Sequence, residues 1–258
     1  METRPSGHHT LFDLCEHIIS KKTIRSDGYP ARQPSESQIY EIFRDSEKTH
    51  NIYCLLEKEY TEKLVIEDIA KFLKESRIAK ALTDKTRVYE SNVRRFWNSA
   101  RYEEKDKTIY SAVTKRDENG QNVDLEIKIN VGVVRRMLDL GDSDNDPTII
   151  PERLAKGSWC RIGFTGHING KILKTSFSHA YKFMVHCVVH ALSHRKGAYD
   201  ETSDYIMNII TCLILNRSYN VSQVIFDHMA ENARAGNKQY IMYPSFVQMM
   251  IDDQFKDL

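Results

Sequence analysis

The chain lacks most of the features that would place it in a class at once. No stretch of its 258 residues is apolar for the length of a membrane span. The opening METRPSGHHTLFDLCEH has no apolar core of a secretory signal, which leads us to expect an intracellular protein, cytoplasmic or nuclear. With 11 Gly and 6 Pro, the sequence is too poor in both for collagen-like or long low-complexity segments. Its five cysteines (Cys15, Cys54, Cys160, Cys187 and Cys212) are odd in number and form no C-x-x-C pair. That pattern suits reduced thiols far better than a disulfide framework. Charge of one sign is missing too. The 37 basic and 36 acidic residues nearly cancel, and residues 1–107 and 108–258 are each balanced. Global steering toward nucleic acid or an anionic membrane is therefore excluded.

Catalytic signatures are equally scarce. There is no G-x-S-x-G elbow and no convincing pairing of a nucleophile with a base. TGHINGKI (165–172) has the look of a phosphate cradle. A P-loop, however, needs four residues between its first Gly and the Gly-Lys, then Ser or Thr; Gly166 leaves three before Gly170-Lys171, and Ile172 follows. A turn is the expectation. GDSDNDPTIIPER (141–153) imitates half an EF-hand loop, with Asp142, Asp144 and Asp146 at alternate positions, but Pro147 and Arg153 stand where the loop needs Gly and a bidentate Glu. We expect a solvated acidic loop.

What is present is helical periodicity. Residues 11–18 and 35–43 carry short amphipathic patterns, the second opening at Ser35. KLVIEDIAKFLKESRIAKAL (63–82) reads as one long amphipathic helix, with Leu64, Ile66, Ile69, Ala70, Leu73, Ile78 and Leu82 near one side. RVYESNVRRFWNSA turns Val88, Val93, Phe96 and Trp97 inward. TIYSAVTK and VDLEIKIN then alternate apolar and polar residues around Asn119-Gly120, which predicts a β-hairpin at 108–130. VGVVRRMLDLG is helical and should stop at Gly141. PERLAKGSW follows, then four long patterns at about 176–194, 201–216, 221–235 and 244–256. Asn220 with Gln223 resembles a capping box, and Pro244 suits a first helical turn. The fold class is mainly α, a helical bundle with a small β-hairpin. We divide the chain into an N-terminal helical segment (1–62) and a domain (63–258).

One segment bears on function. KFMVHCVVHALSH (182–194) places His186, His190 and His194 four residues apart. On a helix, His179, Lys182, His186, His190 and Ser193/His194 share one sector and Phe183, Met184, Val185, Val188, Val189, Ala191 and Leu192 fill the rest. A metal-dependent hydrolase at His186/His190 is the sharper reading. Zinc hydrolases place a Glu directly after the first His, and here that residue is Cys187. The histidines are thus expected to be the wet stripe of an amphipathic helix, with Phe183 and Val188 in the core. No metal, cofactor or small-molecule substrate is implied.

Between Arg153 and Tyr199 the chain carries eight Lys/Arg residues, five His and no acid. Arg161, Lys171, Lys174, Lys182, Arg195 and Lys196 are the candidates for binding an anion or nucleic acid, with Trp159, Phe164 and Tyr181 available to stack. The plainer account, favoured here, is that acids from other segments, such as the 139–146 loop, neutralise the stretch.

RRFWNSA, INVGVVRRMLDLGD, the run from Cys160 to Glu201, CLILNRSYNVSQVIFDHMAEN and QYIMYPSFVQMMIDDQ together resemble the domain called a putative plant transposon protein domain. That domain accompanies copia-type LTR-retrotransposon polyproteins in plants. The likeness spans roughly residues 65–258 in unbroken order, with Y-K-F-x-x-H at 181–186 and M-Y-P-x-F at 242–246 as its most specific phrases. Tyr181 departs from the Trp associated with that place. Integrase, aspartic protease, reverse transcriptase and zinc-knuckle motifs are absent from the sequence. The resemblance implies a non-enzymatic accessory or structural protein that works through a protein partner or self-association. Weak, sequence-independent nucleic-acid binding through residues 153–199 is the alternative.

Overall fold

The computed structural model describes residues 64–116, 121–167, 171–194, 201–235 and 240–255. The segment 1–62, the hairpin tip with Asn119-Gly120, and Arg195 and Lys196 lie outside the described residues. Within them the chain is mainly helical with one small antiparallel sheet. None of the described helices is long and apolar enough to cross a membrane.

The long pattern at 63–82 is two helices, α1 (Leu64–Glu75) and α2 (Ala79–Thr83). The break falls where the Ser76 hydroxyl donates to the Leu73 carbonyl at 2.7 Å, offering the backbone a local partner in place of the continuing helix. Ile69, Ala70, Leu73, Ile78 and Leu82 are nevertheless all buried, because the kink keeps both pieces on one core. Helix α3 (Glu90–Ser99) buries Val93, Phe96 and Trp97 as its spacing predicts. Strands β1 (Arg101–Glu103), β2 (Thr108–Arg116) and β3 (Asn122–Ile129) follow in the order β1-β2-β3, every neighbour antiparallel. The hairpin pairs Ile109 with Ile129 and Val113 with Leu125 without a slip, which keeps Ile109, Val113, Ile127 and Ile129 on the buried face.

Helix α4 (Val131–Leu138) starts on the Asn130 side chain, which accepts from the Val133 amide at 3.0 Å. It ends at Asp139, whose φ of 49° makes the left-handed turn two residues before the expected Gly141. Helix α5 (Glu152–Arg161) is followed by a one-turn 3-10 helix at Lys174–Ser176, then α6 (His179–Leu192), α7 (Asp204–Ile214), α8 (Val221–Arg234) and α9 (Pro244–Gln254). Asn220 caps α8 by accepting from the Gln223 amide at 3.0 Å, but Gln223 turns its own amide to Asp227 instead of completing the box.

Packing is heaviest within two sets of elements. In one, α6 lies against α1, α2, α7 and the 3-10 turn, and α5 lies on α7. In the other, α4, α8 and α9 pack together beside α3 and the sheet. A single buried apolar cluster runs through both.

The 141–147 loop is exposed over most of its length, as expected, but it is tied down at Asp142. Asp142 is buried and accepts from Arg135 Nε at 2.8 Å, from the Ser222 amide at 2.7 Å and from the Ser222 hydroxyl at 2.6 Å. Its charge is offset by a guanidinium on one side and, at the N-terminus of α8, by the Ser222 amide and hydroxyl on the other. Arg135 also reaches Asp144 at 2.6 Å, and its two carboxylate bonds raise its pKa. The Pro147 carbonyl accepts from the Asn220 amide. One loop thereby fixes the end of α4 to the start of α8.

Two substitutions test this packing in denaturant melts. Phe183→Ala, at a fully buried site on α6, is expected to cost about 3–5 kcal/mol as large-to-small core changes do. Asp142→Ala leaves Arg135 and the Ser222 amide facing a void and should cost about 3–5 kcal/mol. A loss under about 1 kcal/mol for Asp142→Ala would mean that water replaces the carboxylate freely.

Candidate functional site

Helix α6 does not float its histidines on the surface. Phe183 and Val188 are buried as expected, but Tyr181, His186 and Cys187 are buried with them, and Lys182 and His190 are half-buried. The wet stripe predicted from the period is an internal row. The cause is that α1, α2, α7 and the 3-10 turn together cover the helix from several sides, which no single-helix pattern can announce.

The first cluster on this row is His186, His190 and Lys174. His186 is 4 % exposed, and its ring lies 4.1 Å from that of His190, centroid to centroid. Lys174, 3 % exposed, comes from the 3-10 turn and places Nζ 3.2 Å from His186 Nδ1. A lysine ammonium has only donors, so it donates to an unprotonated Nδ1 and selects the neutral imidazole. Burial pushes the His186 pKa down from 6.5 to about 2, and the neighbouring His190, Lys174 and Lys182 push the same way. Among the described residues no group of three or more His, Cys, Asp or Glu could hold a metal ion.

The second cluster lies where the two sets of elements meet. His194 follows α6, Tyr205 opens α7, His228 sits in α8 and Tyr243 precedes α9. His194 Nδ1 is 3.0 Å from the Tyr205 hydroxyl, and His228 Nδ1 is 3.1 Å from the Tyr243 hydroxyl. The two imidazoles stack at 4.1 Å and 34°. The Tyr205 ring also meets that of His228 edge-on at 4.6 Å, so four rings from four segments come together. Burial raises the pKa of Tyr205 and, further, that of Tyr243, so both remain neutral phenols able to donate and accept. Tyr243 is fully buried with φ at 47°, a left-handed backbone in a residue that rarely adopts it. Its ring also stacks on Phe246, and Trp97 Nε1 donates to the neighbouring Met242 carbonyl at 2.9 Å. These contacts hold the strained turn in place. Only His194 was singled out from the sequence. Its partners lie 11 to 49 residues away on other elements, and no local pattern announces them.

The candidate basic surface is dispersed. Arg161 is exposed, Lys171 pairs with Glu201 at 2.9 Å, Lys174 is inside beside His186, and Lys182 is half-buried. Trp159, Phe164 and Tyr181 are buried and cannot stack on bases. Trp159 donates to the Thr211 hydroxyl at 3.0 Å, and its ring meets Phe164 edge-on. Nor does the 139–146 loop neutralise this stretch, because Arg135 engages its Asp142 and Asp144. Acids that reach it include Glu201 on Lys171 and Glu152 on Lys156. At the former phosphate-cradle candidate, a Cβ on Gly166 would lie 2.6 Å from the Phe164 ring and 2.8 Å from the Ser176 hydroxyl. That glycine serves close packing of a turn, in which the Thr165 amide donates to the Ser176 carbonyl.

Compared with protein-family models, with curated proteins and with solved structures, the chain matches none.

The buried His186 sets a pH dependence of stability. Its folded pKa lies below that of the unfolded chain, so between pH 6.5 and about 2 the unfolded state binds a proton that the folded state refuses. The group therefore costs no stability above pH 6.5 and progressively more below it, by up to about 1.4 kcal/mol per pH unit. Melts taken from neutral pH down to about pH 4.5 should show this fall, and His186→Leu should flatten it. An equal fall in His186→Leu would assign the acid sensitivity to other groups.

Proposed function

We propose that the chain is a non-enzymatic interaction domain derived from a plant copia-type retrotransposon, folded as a helical bundle and working inside the cell by binding a protein partner. One observation carries this reading. The phrases on which the resemblance rests fall on structural positions: Tyr181, Phe183 and His186 in the Y-K-F-x-x-H phrase are buried in α6, and Met242, Tyr243, Pro244 and Phe246 in the M-Y-P-x-F phrase are buried at the start of α9. Phe96 and Trp97 of RRFWNSA are fully buried too. A motif made of core residues describes a scaffold, and fold alone carries no chemistry. Function in such a domain would lie on its surface.

The nucleic-acid alternative is weakened by the same geometry. Its stacking aromatics are internal, and of its six candidate cations Lys174 is inside and Lys171 is paired. With three or four scattered contacts the salt dependence would be shallow, about −0.9 in log–log slope for each phosphate engaged on duplex DNA.

The test is affinity purification of the full chain from plant cells, before and after nuclease, beside a salt titration on duplex and single-stranded probes. A protein retained after nuclease, with probe binding absent or equal in parent and Arg161→Glu/Lys171→Glu/Lys182→Glu, is the expected result. Retention of nucleic acid alone, lost in the triple variant, would overturn the proposal in favour of the alternative.

A further inference from the structure

The open side of the sheet narrows the kind of protein that could dock. At the end of β3 the Gln254 side chain lies against Lys128: its Oε1 accepts from the Lys128 amide at 2.9 Å, and its Nε2 donates to the Lys128 carbonyl at 3.2 Å. Those two bonds are what a residue of a neighbouring strand would supply. They also show which way the strand faces. Lys128 directs both backbone groups away from β2, and the unbroken register from Ile129 to Asn122 gives Glu126, Asp124 and Asn122 the same outward direction. Among the described residues β3 is an edge of the sheet, so three residues present an amide and a carbonyl each along an exposed line.

The side chains along this line define what would fit. Asp124 and Glu126 stand exposed on the solvent face, where Asp124 accepts from the Thr114 hydroxyl and Glu126 pairs with Lys128 at 3.0 Å. These are exposed contacts of small worth that a cation on an incoming strand would share or replace. On the other face Ile129 and Ile127 are buried, Leu125 is half-buried, and Val123 is 41 % exposed, so the apolar strip runs out past the core toward the hairpin tip. A second copy of this chain is a poor occupant. Antiparallel self-pairing in the registers that engage these groups sets Asp124 or Glu126 opposite another acid, and like charges directly opposite are destabilising. An incoming strand with basic residues opposite Asp124 and Glu126 and apolar residues between them meets both faces.

We infer that the outer edge of β3, from Asn122 to Glu126, is a docking site for an extended segment of a partner protein that alternates basic and apolar residues, added as a fourth strand. The inference rests on the reading of the chain as a protein-interaction domain and assigns that reading a surface. Main-chain hydrogen bonds would supply affinity, and the two carboxylates would supply selection. Gln254 bounds the site at one end.

The experiment uses the full chain and a short labelled peptide alternating Lys and Val, followed by fluorescence anisotropy and by hydrogen exchange of the Asp124 and Glu126 amides. Binding that protects both amides is expected, together with about a tenfold loss of affinity in Asp124→Lys/Glu126→Lys. Because Glu126 pairs with Lys128 and Asp124 accepts from Thr114, the melting temperature is measured beside binding, and Asp124→Asn/Glu126→Gln, which removes the charge while keeping the shape, should lose affinity as well. A peptide of the same charge, N-methylated along its pairing edge, should fail to bind. If the N-methylated peptide binds equally, or the two amides stay unprotected, the attraction is charge alone and the edge is not the site. Absence of binding by the parent peptide overturns the inference as well. Should a plant-cell partner still be retained by Asp124→Lys/Glu126→Lys, the interaction reading stands and this surface is wrong.

Discussion

The structure depends on a helix that has no dry side to spare. Helix α6 is covered by α1, α2, α7 and the 3-10 turn, yet it carries Lys182, His186 and His190 along one row. Polar groups taken from water must find partners inside or cost several kcal/mol each. On this row the protein sets a lysine against a neutral imidazole and packs imidazole beside imidazole. Histidine suits such a place because its neutral form offers one donor and one acceptor at little desolvation cost. The row continues to His194, where the same solution recurs with tyrosine hydroxyls and joins the two sets of elements.

Much of this was open to reading from the sequence, and the parts that were not share a cause. Alternation located the β2–β3 hairpin, and the helical period located the inward faces of α1, α3 and α6 through Ile69, Leu73, Phe96 and Phe183. These are local signals, set within a few residues. The period also separated the polar row of α6 from its apolar face, but a period compares the sides of one helix and cannot tell whether a second element covers the polar one. Lys174 covers it from 12 residues away. Asp142 was misjudged for the same reason, since its partner Ser222 lies 80 residues on. Strand β1, three residues long, carries no alternation to detect.

Removing Lys174 from the surface and Trp159, Phe164 and Tyr181 into the core changes the meaning of the acid-free stretch. A long run without carboxylates looks like a binding face when drawn along a line. Folded, it supplies packing for α5, the 3-10 turn and α6. The absence of acids fits this interior role, because a carboxylate beside His186 would favour the imidazolium and draw a charge into the core.

The amide of Gln254 at Lys128 bears on how the protein behaves in a crowded solution. An uncovered strand edge invites identical chains to join edge to edge, and ribbons grow when every added unit offers a fresh edge. Here a side chain from the last described helix occupies the terminal rung of the ladder, and acidic side chains repel copies along the rest. The sheet is left able to accept one foreign strand while discouraging its own kind, a combination that keeps an adhesive surface from becoming a polymerising one.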